Sequence, residues 1–542
     1  MPQRTDFGVL YGQKTTEDAL LIYSSYEDAK ASPNKGDFIV LTPKNEDGRK
    51  FLTRVEAEIY DEDPIFRSQD KTLVAVHYAR IAERELSERD KQKMFSYTYR
   101  VRMLGTFTDS GYAIVFTTAV RKLPTVSYHA RHLNKREVDA IINQPDSAGA
   151  PIGCLCIGED LHADKGEILF DTKRLKEKRT MVFAQSGFGK TNLIKVLLYQ
   201  TIGDVSYGKL IFDLNGEYFL KGQKTAGLGN IDEQKIRDNL VVYTDKEILG
   251  YENHFKSGGK VLINMHKNLT IADILSFSTG FSEVMKSFLL YLDDEGVTDF
   301  IPKIDTYVND PSKIHKDFPD FFSTNARGEE DKSARKTIAA IRKRVRHLID
   351  EGKGLHSNSS TLIEDVFKYL KQGKTVVIDL SLKDTTDASI ISTIFVRKLF
   401  EHNKAEFTSN KPDAVIQTVV FVEEAQNVLS DELVKSNANP FVRCAKEGRK
   451  FGLGMVAITQ RPSAISEEIR TQAENFFTFY MGNSDDIKAL VKSNINYDGV
   501  ISNFIQTETI PGNLYMVTSD RAFAVPVRVI EFEKLVKDKL YK

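Results

Sequence analysis

Residues 184–191, AQSGFGKT, have the types and the spacing needed to bind a phosphate group. They match the phosphate-loop pattern GxxxxGK[ST], except that Ala184 replaces the first glycine. Gly187 and Gly189 permit the backbone torsions that aim successive N–H groups at an anion. An apolar run precedes the loop and a helical pattern follows it, so a chance glycine-rich turn is the less favoured interpretation. The loop therefore predicts a nucleotide site.

In such a loop the lysine reaches the β and γ phosphates, and the hydroxyl that follows it ligates Mg²⁺. Lys190 and Thr191 occupy these positions. The predicted ligands of the protein are accordingly ATP and Mg²⁺. The residues predicted to hold the nucleotide are Ser186, Gly187, Phe188, Gly189, Lys190, Thr191 and Asn192.

Two adjacent carboxylates end a second apolar run, VVFVEEAQN, at 419–427. By itself such a pair usually marks only a solvated strand end. Together with the phosphate loop it predicts that Glu423 holds the Mg²⁺ shell with Thr191. Glu424 is then predicted to act as the general base that polarises the attacking water.

A polar amide follows a third apolar run, in ITQRPSAI at 458–465. At the end of a buried strand, Gln460 could bond the γ-phosphate or the water and so report hydrolysis. It could equally be an ordinary polar strand terminus before Pro462, which can begin a helix. The position alone does not separate these two interpretations.

The elements that must position these residues follow from periodicity. From about residue 178, short apolar strands alternate with helices, which predicts an α/β fold whose parallel-rich sheet is covered on both faces. The predicted strands are 179–184, 209–214, 239–244, 260–265, 374–380, 417–424 and 453–459.

The first 150 residues have a different pattern. Alternating or β-branched runs at 37–42, 51–60 and 112–120 lie between turn clusters and predict a small β-barrel or sandwich domain, which the helical composition of 68–95 interrupts. The predicted organisation is a β-barrel domain (1–150), an ATPase core (151–267 and 373–542) and an inserted helical subdomain (268–372).

Composition sets limits without selecting a partner. The chain has 542 residues, with 75 basic and 76 acidic side chains. A protein that coats DNA with its whole surface would be basic, whereas a ring that touches DNA only through its central hole need not be. No long apolar run or N-terminal signal pattern is present, so we expect a cytoplasmic protein. Cys154, Cys156 and Cys444 lack the spacing of a metal site and are expected to be packing thiols.

The order of the motifs resembles the HerA branch of the HerA–FtsK ATPases. The resemblance covers roughly residues 150–530, and it is carried by AQSGFGKT, FDLNGEY (212–218), VIDLS (377–381), VEEAQN and KEGRKFGLGMVAITQRP (446–462). It implies a RecA-like P-loop core after an N-terminal barrel, and a homohexamer that moves double-stranded DNA through its pore. It also implies a partner protein, either a NurA-like nuclease in DNA-end processing or a Sir2-like NADase or other nuclease in antiphage defence. We expect that partner to dock on the N-terminal domain.

The resemblance also assigns residues by position. It implies that Gln460 is the sensor and that Arg449 reaches the ATP of a neighbouring subunit, although a solvated basic turn is the alternative for Arg449. Gln426 stands where a histidine is common in this branch, so any role of that histidine is absent. Asp213 and Glu217 match a motif near the site, and fixing the loop is the slightly favoured role.

The strongest basic run lies in the helical insertion. Residues 331–347 carry seven Lys or Arg, and Ile338, Ile341, Val345 and Leu348 form one apolar stripe. The basic side chains could contact DNA phosphates, but a solvated helix face is the favoured interpretation for most of them. The whole chain could likewise be an ATP-binding ring that scaffolds and regulates an effector, with little movement of DNA.

Overall fold

The structure is a computed structural model that describes most of the chain. The described residues are 6–13, 19–25, 33–44, 48–61, 96–143, 149–158, 160–161, 166–220, 225–248, 250, 253–276, 282–294, 300–310, 313, 332–436 and 439–541. They form two compact units. One comprises 1–171, 184–189 and 475–530, and the other comprises 172–183, 190–474 and 531–542.

Seven antiparallel strands begin the first unit. They are β1 (Asp6–Gln13), β2 (Ala19–Ser25), β3 (Phe38–Thr42), β4 (Lys50–Asp61), β5 (Ser96–Asp109), β6 (Ile114–Thr117) and β7 (His129–His132). Their order is β2-β1-β7-β3-β4-β5-β6, and β2 also pairs with β5, which closes six of them into a barrel. Ile22, Ile39 and Val101 belong to its buried apolar core. The predicted barrel is confirmed, whereas the predicted helical interruption at 68–95 lies outside the described residues.

The first unit continues with β8 (Gly149–Ile157), β9 (Asp160–Leu161) and β10 (Glu167–Asp171). Strand β8 pairs antiparallel with both β9 and β10. Cys156 is buried in β8 and Cys154 is partly buried, which agrees with their expected packing role.

The second unit contains a parallel sheet. Its strands are β11 (Arg179–Phe183), β12 (Gly208–Asp213), β13 (Leu240–Tyr243), β14 (Lys256–Gly259), β15 (Thr375–Asp379), β16 (Thr418–Val422) and β17 (Leu453–Thr459). They lie in the order β11-β17-β16-β12-β15-β13-β14, and each neighbouring pair is parallel. Every residue of β12, β15, β16 and β17 is buried, as expected for a sheet covered on both faces.

One predicted strand of this sheet is wrong. The apolar run 260–265 leaves the sheet, and the preceding residues Lys256–Gly259 form β14 instead. Ile263 is buried, but its N–H donates to the carbonyl of Leu355 (2.9 Å) and its carbonyl accepts from the N–H of Ser357 (3.2 Å). The run signalled burial correctly; its backbone partners come from a loop about 90 residues away, which periodicity cannot reveal.

Three antiparallel strands complete the first unit: β18 (Asn475–Phe479), β19 (Asn513–Thr518) and β20 (Val525–Val529). Strand β19 pairs with both of the others, and β20 pairs with β8. The fold is therefore α/β, with a parallel-rich sheet and an N-terminal β-barrel.

The described residues include sixteen α-helical segments. They are α1 (Lys135–Glu137), α2 (Lys190–Thr201), α3 (Gln234–Asn239), α4 (Met265–Asn268), α5 (Ile271–Ser276), α6 (Glu283–Asp294), α7 (Phe300–Asn309), α8 (Lys332–Ile349), α9 (Leu362–Lys371), α10 (Thr385–Thr408), α11 (Asp431–Ser436), α12 (Pro440–Glu447), α13 (Glu467–Arg470), α14 (Ser484–Ser493), α15 (Val500–Thr507) and α16 (Phe532–Val536). Between β14 and β15 the described secondary structure is almost entirely helical, as the periodicity predicted. The predicted apolar stripe of α8 is buried. None of these helices is both long and apolar enough to cross a bilayer.

Candidate functional site at the carboxyl edge of the parallel sheet

The phosphate loop occupies the predicted connection, since Ala184–Gly189 joins β11 directly to α2. Gly187 and Gly189 have φ angles of +85° and +109°, a region that disfavours any residue with a Cβ. Ala184 is fully buried at the end of the strand, so its methyl group is accommodated there. The ring of Phe188 lies against that of Tyr480, with centroids 4.5 Å apart.

The polar residues of the site follow strands that end at one edge of the parallel sheet. The register pairs Phe183 with Thr459, Val422 with Ala457, Phe421 with Ile211, and Asp213 with Asp379. Because parallel strands end at the same edge, the chain that follows each of them converges there. We call the ends of β11, β12, β15, β16 and β17 the carboxyl edge.

Glu423 is held in place by two donors from the segment after β12. Its Oε1 accepts from the hydroxyl of Tyr218 at 2.6 Å, and its Oε2 accepts from the N–H of Leu214 at 3.3 Å. Burial of the carboxyl raises the pKa of Glu423 to about 7, and the neighbouring carboxyl of Asp213 adds to that rise. The side chain is thus a fixed carboxylate whose negative charge is little compensated by the protein.

Asp213 shapes the loop that supplies those donors. Its buried carboxylate accepts from the backbone N–H groups of Gly216 (2.7 Å), Glu217 (3.1 Å) and Tyr218 (2.9 Å). Burial raises the pKa of Asp213 to about 6 against the effect of these bonds. A carboxylate that accepts three consecutive amides fixes a turn, which agrees with the favoured role that the sequence suggested for it.

Glu424 lies at the centre of a second, amide-based network. Its Oε2 accepts from Nε2 of Gln426 at 2.6 Å, and its Oε1 accepts from Nε2 of Gln460 at 3.2 Å. Oε1 of Gln426 in turn accepts from the hydroxyl of Thr459 at 2.6 Å. The backbone of Glu424 is left-handed (φ +47°), a strained conformation for a residue with a side chain. The predicted base and the predicted sensor are therefore in direct contact.

Lys190 and Thr191 face the same carboxylates from the first turn of α2. Burial lowers the pKa of Lys190, while the negative charges of Glu424, Glu423 and Glu217 oppose that shift. The hydroxyl of Thr191 donates to Oε2 of Glu217 at 2.9 Å. These oxygen atoms suit a hard divalent cation such as Mg²⁺, which prefers carboxylate and hydroxyl ligands.

Asn192 is placed differently from the other residues of the predicted nucleotide site. Its Oδ1 accepts from the N–H of Phe532 at 2.8 Å, so the amide contacts the start of α16. This bond satisfies one of the backbone N–H groups at the N-terminus of α16, which have no partner within the helix.

Arg449 lies at the opposite edge of the sheet. It belongs to the short turn 448–451 that precedes β17, whereas Gln460 follows β17. A strand of seven residues spans about 23 Å, so the guanidinium does not meet the carboxylates of Glu423 and Glu424 in its own chain. Its side chain is 67% exposed, and the nearest charge in an ion pair is Glu474 at 3.7 Å. We call the starts of β11 and β17 the amino edge.

Two members of the site were not predicted from the sequence. Tyr218 provides the shortest contact of Glu423 through its hydroxyl, and Asp379 was recognised only as part of the VIDLS motif. Asp379 is buried at the end of β15 and accepts from the hydroxyl of Thr244 at 2.6 Å. The signal for both was present in the sequence, because each lies at or just after the end of a predicted strand.

The family comparison agrees with this geometry. The family described as the helicase HerA central domain matches residues 155–399. The family described as zonular occludens toxin matches residues 330–484.

Similar proteins include two archaeal helicases described as DNA double-strand break repair helicase HerA. The one from Sulfurisphaera tokodaii is 26% identical, over 66% of this chain and 69% of its own length. The one from Saccharolobus solfataricus is 24% identical, over 58% of this chain and 57% of its own length. The match therefore covers about two thirds of the first relative and somewhat more than half of the second.

Among solved structures, the bacterial conjugative coupling protein TrwB aligns with 74% of this chain and 93% of its own chain. The identity is 12% and the TM-score is 0.44. The resemblance to the HerA branch is confirmed by the family match and the relatives. Residues 155–399 thus match the central domain of the helicase HerA, and the chain is similar to HerA-type ATPases.

Proposed function

We propose that this ATPase assembles as a homohexamer and uses ATP hydrolysis to move double-stranded DNA. The observation that carries the proposal is the convergence of Lys190, Glu423, Glu424 and Gln460 at the carboxyl edge. The relatives described as DNA repair helicases support DNA as the substrate. The ring is what the family resemblance implies.

The first step is the binding of the triphosphate. Ser186, Gly187 and Gly189 would offer backbone N–H groups to the phosphates, with the positive end of α2 behind them. The N–H of Phe188 instead donates to the carbonyl of Gln185 at 3.4 Å. Lys190 neutralises the β and γ phosphates. Without nucleotide, the charges near Lys190 are those of carboxylates. The triphosphate would replace these carboxylates as the partner of Lys190, and Mg²⁺ would compensate part of the added negative charge.

The metal would be held by Thr191 and Glu423. When bound, Mg²⁺ neutralises charge that develops on the phosphate oxygens. Tyr218 and Leu214 orient the Glu423 carboxylate from the side of β12. Glu217 accepts a hydrogen bond from the hydroxyl of Thr191. When Mg²⁺ binds, Glu217 would either give up this bond or contribute a further oxygen ligand.

Glu424 removes the proton of the attacking water as the general base. Its two carboxylate oxygens are each bonded to an amide, one of Gln426 and one of Gln460, which fixes the plane of the carboxylate. Gln460 can exchange its bond to Glu424 for one to the γ-phosphate, and this exchange would make it a sensor of hydrolysis. Gln426, which stands where a histidine is common in this branch, links the base to Thr459 instead.

Arg449 completes the site of a neighbouring subunit. It is exposed and remote from its own site, as an arginine that acts across a subunit interface must be. The guanidinium would stabilise charge on the transferred phosphate.

The remaining parts of the proposal concern the setting. We propose a cytoplasmic protein that works with a nuclease or other effector, such as a NurA-like nuclease or a Sir2-like NADase, docked on the N-terminal β-barrel. The role would be antiphage defence or DNA-end processing.

The test is the ATPase rate of the purified protein with and without long duplex DNA. We expect a rate that duplex DNA raises severalfold, since a motor couples hydrolysis to its track. Glu424→Gln protein serves as the control for contaminating ATPases. A wild-type rate that duplex DNA leaves unchanged would contradict the motor and support the alternative of an ATP-binding scaffold.

A further inference from the structure

Helix α8 in the helical insertion separates its side chains by type. At roughly 100° per residue, its buried residues Ile338, Ile341, Val345 and Leu348 fall within one sector of about 80°. Five basic residues fall within another sector of about 120°. This set, the basic stripe, consists of Arg335, Lys336, Arg342, Lys343 and Arg346. Arg344 points away from the stripe by its position on the helix.

The charge of the basic stripe is largely uncompensated. The sequence of α8 contains no Asp or Glu. Arg342 is half-buried and pairs with Asp305 at 2.5 Å. Arg335, Lys336, Lys343 and Arg346 are exposed, and none of the described carboxylates forms an ion pair with them.

The stripe is held on a fixed support. The apolar face of α8 packs on α7, and the Arg342–Asp305 ion pair joins the same two helices. Near the end of α8, Nε2 of His347 lies 3.5 Å from Oδ1 of Asp387 in the first turn of α10. A binding surface anchored at both of these points loses little freedom when a ligand binds.

The end of the stripe borders a shallow cleft. Its charged and polar lining consists of Arg342, Lys343, Arg346, His347, Lys353 and one acid, Asp350, so most of it is basic. A concave basic surface collects the field of its charges and attracts anions more strongly than isolated lysines do.

We propose that the basic stripe binds the phosphodiester backbone of duplex DNA without sequence preference. Residues 335–346 span about 16 Å along the helix, and a duplex presents one charge per about 1.7 Å. Several phosphates can therefore face the stripe at once. The apolar side chains of α8 point inward, so the stripe offers no hydrophobic anchor of the kind on which a protein interface depends. A polyanion fits this surface better than a folded protein partner.

The inference rests on the proposed function, and it adds to it a surface outside the ATP site. Arginine makes up three of the five residues, and its planar group suits bidentate contacts with phosphate. Contacts of this kind fix position on the duplex and do not read bases.

The experiment compares two double variants of the full chain. Lys343→Gln with Arg346→Gln removes two charges from the stripe. Arg344→Gln with Lys368→Gln removes two exposed charges from the same subdomain but outside the stripe. Binding of a fluorescent random-sequence duplex is measured by anisotropy over a series of salt concentrations, with ATPase activity without DNA and thermal unfolding as checks on folding.

We expect the stripe variant to bind more weakly, with a slope of log K against log salt smaller by about 2, because each lost phosphate contact removes about 1. The control variant should keep the wild-type slope. Equal slopes and affinities for the two variants would overturn the inference while leaving the motor intact. Wild-type protein that binds no duplex would instead overturn the proposed function. Polyglutamate is tested in the same way. If it bound as tightly as DNA and its binding also depended on the basic stripe, the occupant would be an acidic protein, and the inference would be overturned.

Discussion

The two edges of the parallel sheet are built from the same strands but carry opposite kinds of polar structure. The carboxyl edge holds buried Asp213 and Asp379 and half-buried Glu423, and burial raises the pKa of Asp213 and of Glu423. At the amino edge, the exposed Arg449 lies 3.7 Å from the mostly buried Glu474. The carboxyl edge encloses carboxylates with few opposite charges nearby, whereas the amino edge presents the exposed guanidinium of Arg449.

The difference follows from the direction of the strands. Helices α2 and α10 begin just after β11 and β15, so their N-termini lie at the carboxyl edge and favour anions there. Enclosed carboxylates beside them become useful when a cation and a polyanion arrive together. The guanidinium of Arg449 is solvated and screened, and in the proposed assembly it gains a role when another chain covers it. In the proposed assembly, a single chain therefore supplies only half of each site.

The largest effect is expected for Lys190→Ala. Without the ammonium group, the carboxylates of Glu423 and Glu424 face the triphosphate uncompensated, so nucleotide binding should be lost. Titration with a fluorescent ATP analogue and Mg²⁺ measures this, with Lys371→Ala on the surface of α9 as the matched control. If Lys190→Ala bound the analogue as tightly as the wild type does, the nucleotide site would not lie at the carboxyl edge.

Glu424→Gln should bind ATP normally but hydrolyse it on the order of 10²- to 10⁴-fold more slowly, because an amide cannot accept the proton of water. Phosphate release under single-turnover conditions measures the loss. Turnover at the wild-type rate would show that Glu424 is not the base.

Arg449→Ala should lower turnover on the order of 10³-fold, because a charge on the transferred phosphate would lose its partner. The decisive measurement mixes this variant with Glu424→Gln protein. Each mixed interface can then contain an intact Glu424 from one chain and an intact Arg449 from the next, and activity should reappear. Mixtures that stay inactive would contradict a role of the amino edge in trans.

Tyr218→Phe should have a smaller effect. It removes the 2.6 Å donor to Glu423, so we expect the free energy of unfolding to fall by about 1–3 kcal/mol. The Mg²⁺ concentration for half-maximal ATPase activity should also rise. Tyr497→Phe, which removes a buried hydroxyl bonded to the carbonyl of Tyr515, should destabilise the protein without moving the Mg²⁺ dependence. The same Mg²⁺ curve for both variants would count against Glu423 as a ligand.

The smallest effect is expected for Lys446→Ala, in the last turn of α12 just before the turn 448–451. Its ion pair with Glu468 (2.8 Å) is partly exposed, and such pairs contribute about 0–1 kcal/mol. Urea denaturation and the ATPase rate should both stay close to wild type. A large loss of ATPase activity would mean that Lys446 contributes to hydrolysis as well, and that the effect of Arg449→Ala is not specific to Arg449.

Much of the fold could be predicted because periodicity reports burial directly. The barrel, the parallel sheet and the apolar stripe of α8 were all visible as alternating, continuous or three-to-four spaced apolar residues. The strand predicted at 260–265 failed for the same reason, since Ile263 is buried without being in a strand. Burial and pairing are different properties, and only the second depends on a distant part of the chain.

The sequence by itself determined the chemistry: the phosphate loop, the carboxylate pair and the glutamine are local patterns whose residue types dictate what they can bind. Only the tertiary structure decided which of them act together. Strand register set Glu424 against Gln460, the turn fixed by Asp213 brought Tyr218 to Glu423, and the length of β17 put Arg449 out of reach of its own site. These relations join residues tens to hundreds of positions apart, and distances across a sheet depend on strand order and direction, which no local pattern contains.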